Sequence, residues 1–74
     1  MERSDIENIA RIVLRDYALP LKLDGVRVDG GRCTIDFADP HCAGTRVNVG
    51  VWCDAKTSPY GVREFLKKQL HVTD

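Results

Sequence analysis

The chain carries no net charge: 11 lysines and arginines offset 11 aspartates and glutamates over its 74 residues. That balance excludes a general binder of nucleic acid or of anionic membrane, because such binding rests on a basic excess that displaces counterions. Cysteines number three, at positions 33, 42 and 53. Their odd count and the lack of a C-x-x-C pair exclude a self-contained disulfide scaffold. Apolar runs such as Ile12-Val13-Leu14 are far too short to span a bilayer. The opening residues Met1-Glu2-Arg3-Ser4-Asp5 lack a basic stretch followed by an apolar one. No secretory signal is therefore expected, and a reducing, cytoplasmic setting fits the thiols.

The residues of catalysis are also thinly represented. Gly25, Gly30 and Gly31 have neither the spacing nor the following helix of a phosphate loop. Cys33, Cys42, Cys53, His41 and His71 show no finger-like spacing, so no metal and no other cofactor is expected. His41-Cys42, with Asp39 close by, is the one arrangement from which a thiol-dependent enzyme can be argued. An exposed thiol beside a solvated histidine accounts for it more simply, and the chain is read as non-enzymatic.

What is present is amphipathic patterning. Apolar residues make up 43% of the chain, enough for a folded domain. Ile6, Ile9, Ala10, Val13 and Tyr17 recur at helical spacing, with Ser4 and Glu7 expected to form a capping box at the start. Pro20 disfavours helix at Leu19, so this helix is expected to stop near Ala18. Val26 and Val28 then alternate with polar residues, as do Cys33, Ile35 and Phe37. Gly30-Gly31 between them is suited to a two-residue hairpin turn. That turn sets Val28 opposite Cys33, Val26 opposite Ile35 and Asp29 opposite Arg32. Leu21 and Leu23 have the other parity, so either a bulge at Gly25 extends the first strand back to Leu21 or Asp24-Gly25 is a separate turn, and the bulge is the preferred reading. Val47, Val49, Val51 and Cys53 mark a third strand, followed by a helix capped by Ser58 with Pro59 in its first position. The stripe Val62, Phe65, Leu66 and Leu70 is expected to be its buried side, and Glu64 to face Lys68.

The expected architecture is a single α+β domain over residues 1–74: two layers in the order α-β-β-β-α, with both helices on one face of a three-stranded antiparallel sheet. This order resembles that of the double-stranded-RNA-binding domain. The resemblance implies phosphate contacts from the second helix, whose opening here, Thr57-Ser58-Pro59-Tyr60-Gly61-Val62-Arg63, carries a single cation. Arg63, Lys67, Lys68 and His71 would supply the basic side of that helix.

By parity, the other face of the sheet is open and carries Arg27, Asp36, Arg46, Asn48 and the single tryptophan, Trp52. Trp and Arg are the residue types enriched at binding hot spots. The expected function is protein–protein interaction through this face, with another protein or a second copy of the chain as partner. Small, neutral chains without catalytic residues include inhibitors of phage or mobile-element type and adaptors. Nucleic-acid binding by the second helix is the alternative, and thiol chemistry at Cys42 the second.

Overall fold

A tight turn at Gly30-Gly31 organises the sheet. The computed structural model describes residues 2–42, 44–52 and 57–72. They form α1 (Arg3–Asp16), β1 (Lys22–Asp29), β2 (Arg32–Ala38), β3 (Arg46–Trp52) and α2 (Pro59–Gln69). The strands lie in the order β1-β2-β3, both neighbours antiparallel. The helices contact each other and the sheet, giving the α+β arrangement of helix, three-stranded sheet and helix.

Gly30 takes a φ of +64°, the left-handed value that the first central position of such a turn needs. The pairs that follow are Asp29 with Arg32, Val28 with Cys33 and Val26 with Ile35, as the alternation requires. The register shifts between Leu23 and Gly25, so β1 carries a bulge with Asp24 as its extra residue. The bulge, at Asp24 rather than at the expected Gly25, returns Leu23 to the core side opposite Phe37, and β1 extends back to Lys22, one residue short of Leu21. Without it, Leu23 and Val26 would face opposite sides of the sheet.

The central strand supplies the core. Cys33, Ile35 and Phe37 are fully buried, packed between Val26 of β1 and Val49 and Val51 of β3. Ile6 and Ala10 from α1 and Val62 and Leu66 from α2 close the layer above them. Two expected core positions differ. Val28 is half exposed, one pair from the turn on an edge strand. Phe65 is 41% exposed while Lys67 is buried. The Lys67 ammonium lies 3.0 Å from the Glu64 carboxylate and 5.3 Å from the centre of the Tyr17 ring, which makes its burial tolerable. Glu64 thus reaches Lys67, three residues on in the helix.

The first helix begins two residues earlier than its Ser4–Glu7 signature suggests. Glu2 is the N-cap, and its N–H donates to the Asp5 carboxylate at 3.0 Å. An acid in the first turn also complements the positive helix end, and Ser4 lies inside the helix. Glu7 instead accepts from Arg3 at 3.2 Å and lies 4.0 Å from Arg11. In α2 the expected cap is present: Gly61 N–H donates to Ser58 Oγ at 3.0 Å, with Pro59 following.

Both helices end in the same device with the same flaw. Ala18 N–H donates to the Arg15 carbonyl and Leu19 N–H to that of Leu14; His71 and Val72 donate likewise to Lys68 and Lys67. These are Schellman motifs, whose left-handed residue is usually glycine. Here it is Ala18 at φ +49° and His71 at φ +58°. A side chain in that region costs about 1–2 kcal/mol, partly offset by the greater chain entropy glycine would lose. Ala18→Gly and His71→Gly should therefore each raise the unfolding free energy by about 0.5–1 kcal/mol, read as a higher urea midpoint at unchanged m-value. A drop in midpoint for both would contradict the assignment.

Candidate functional site

The sheet face away from the helices is ordered in rows across the three strands. Asp29, Arg32 and Trp52 share one row; Arg27, Thr34 and Gly50 the next; Gly25, Asp36 and Asn48 the third; Lys22, Ala38 and Arg46 the last. The residues singled out from the sequence, Arg27, Asp36, Arg46, Asn48 and Trp52, are thus all on one surface.

Their chemistry differs along it. Arg27 holds Asp36 in a two-pronged contact, Nε to Oδ2 at 3.1 Å and Nη2 to Oδ1 at 3.3 Å. Arg46 reaches across the small Ala38 to the bulged Asp24, with Nη1 2.7 Å from Oδ2. The bulge is what turns Asp24 onto this face. Such exposed pairs contribute little stability, about 1 kcal/mol or less each. They do neutralise the middle and one end of the face.

The other end carries the tryptophan, in a row with Asp29 and Arg32. Trp52 is 69% exposed at the terminus of β3. Beside it a groove of about 240 Å³ runs between β3 and α2, lined by Val51, Trp52, Gly61, Val62 and Phe65 among others. Tyr60 on the same helix is 72% exposed. Trp52 and Phe65 therefore flank one opening from two different elements. Phe65 was hidden from sequence reasoning because it fits the helical stripe as well as the residues that are buried.

Arg32 is the second residue that the sequence did not single out for this face. It was expected to meet Asp29 beside the turn, yet its guanidinium extends across the sheet over Gly50. A Cβ placed on Gly50 would come within 2.5 Å of Arg32 Nη2 and 2.9 Å of its Nε. The glycine gives the guanidinium room to lie flat on the strand. The readable signal was a strand glycine diagonal to an arginine across the register.

The remaining candidates are dispersed. The side chain of Arg63 lies 3.6 Å from Asp16 and Lys67 is buried, so two of the four cations expected along α2 are engaged within the fold. In the loop after β2, His41 N–H donates to the Asp39 carboxylate at 2.9 Å, and Thr45 Oγ1 donates to the Cys42 sulfur at 3.0 Å. Both contacts shape the turn. Among the described residues, no group of three His, Cys, Asp or Glu side chains is arranged to hold a metal. Cys53 lies outside the described residues. No family model, curated protein or solved structure matches the chain.

Cys33 is fully buried and Cys42 exposed. A short pulse of a thiol reagent on the folded, reduced protein should label Cys42 far ahead of Cys33, as read by peptide mass spectrometry. Equal labelling would mean that the core side of β2 opens on the timescale of the pulse.

Proposed function

We propose that this protein acts by binding another protein chain, through the end of the open sheet face marked by Trp52. One observation carries the reading. The largest apolar side chain stands 69% exposed at a strand end, beside an apolar groove walled by the half-exposed Phe65. Lone exposed apolar residues are ordinary, but an aromatic pair around a concavity is the composition of an interface centre. The self-paired charges of Arg27, Asp36, Arg46 and Asp24 form a polar margin on one side of it. Asn48 lies between the two regions and offers a carboxamide to a partner's backbone.

Nucleic-acid recognition by α2 has less support, since Lys67 is sequestered and Arg63 is drawn to Asp16. Lys68 and His71 would leave few phosphate contacts and a correspondingly weak, salt-sensitive affinity. An inhibitor or adaptor is the kind of role we propose for such a contact.

Trp52→Ala tests the reading, with a partner captured from the native host's lysate. The substitution should alter folding stability by no more than about 0.5 kcal/mol, as at a surface position. It should weaken association by about 2 kcal/mol or more, roughly thirtyfold, whereas Arg27→Ala should weaken it much less. Unfolding of Trp52→Ala, or undiminished binding by it, would remove the proposal.

A further inference from the structure

The two edges of the sheet are protected very differently. Edge strand β1 carries four charged residues in its sequence KLDGVRVD, together with the bulge at Asp24. Charges and bulges are the means by which edge strands avoid pairing with other chains. Edge strand β3, RVNVGVW, has one charge, at its first residue, and seven residues paired to β2 without a register shift. Among the described residues no strand lies on its far side.

We infer that β3 is the contact by which two copies of this chain pair, antiparallel about a two-fold axis, into a continuous six-stranded sheet. The inference rests on the binding role of the Trp52 end and names its partner. Residues opposite one another in such a pair must share a face, so the two residue numbers of each pair sum to an even value. Of the even registers, only the one centred on Val49 uses all seven residues of β3.

That register is complementary at every position. On the open face it sets Arg46 opposite Trp52 of the second copy, where the methylene stem of the arginine can pack on the indole while its guanidinium keeps Asp24. Asn48 falls opposite Gly50, over which the second copy's own Arg32 guanidinium is stretched, and a carboxamide oxygen is a suitable acceptor for it. On the core face Val49 meets Val49, and Val47 meets Val51, all β-branched pairs suited to a sheet. The half-buried Val47 would thereby approach the groove that Val51, Val62 and Phe65 leave open. No like charges are opposed, and the neutral chain does not repel its copy. The pairing is isologous, so it closes at two subunits, although β1 remains an edge.

Sedimentation velocity of the whole chain, from low micromolar to near-millimolar concentration, tests this. The expected result is a reversible rise from 8.3 kDa to twice that mass. Asn48→Lys places a cation against Arg32 of the other copy at two symmetric sites, and should weaken the dimer about tenfold or more. Within its own subunit the new lysine lies opposite Asp36, so the melting temperature at low concentration should be kept. Asn48→Gln, which retains the amide, should stay near the parent. A chain that remains at 8.3 kDa throughout overturns the inference, as does a dimer indifferent to Asn48→Lys. Should a monomeric chain still capture a different protein, and lose it with Trp52→Ala, the dimer fails while the binding role of Trp52 stands.

Discussion

Cys33, Ile35 and Phe37, alternating along the middle strand without solvent exposure, are the constraint on which the other elements depend. β2 is paired on both sides, so its parity is imposed on β1 and β3 together. Slipping either neighbour by one residue would carry valines out to water and bring Asn48 or Arg27 under the helices. An unpaired buried charge or amide costs several kcal/mol, a large part of what a domain of this size can hold. The bulge at Asp24 is the one concession. It lets Leu23 and Val26 both satisfy the inner face although their spacing is odd.

The same concession shapes the outer face. An extra residue in β1 turns Asp24 outward, where it engages Arg46 from the far strand across Ala38. Arg27 and Asp36 make the second cross-strand tie. These four charged side chains thus satisfy one another, and the contact surface we propose is the end around Trp52 and Phe65, beside an edge of β3 on which no described strand lies. The binding proposed at that end rests on the distribution of exposed groups over the face rather than on net charge.

Much of this was legible in the residues. The two-residue period of Cys33, Ile35 and Phe37 and of Val47, Val49 and Val51, joined to a Gly-Gly turn, dictates faces and register without tertiary information. The helix ends were less legible. Glu2 competes with Ser4 as a cap, and the choice turns on which acid, Asp5 or Glu7, lies within reach of the free N–H groups. The exchange of Phe65 for Lys67 at the buried side of α2 depends on Tyr17 and Glu64 being present to receive an ammonium. That is a long-range fact no local pattern carries. Arg32 over Gly50 was hidden for the same kind of reason, because a side-chain rotamer follows from neighbours on two strands at once.

Backbone amide exchange along the sheet tests most directly the claim that the Trp52 end and the open edge of β3 are where this molecule binds. In dilute protein, β2 amides should be protected throughout, while every second amide of β3, those directed away from β2, should exchange rapidly. On association, whether with a second copy or with another protein, protection should rise in those β3 amides and at Trp52, and remain unchanged in β1. Protection that rises along β1 or α2 instead, with β3 unaffected, would contradict the account.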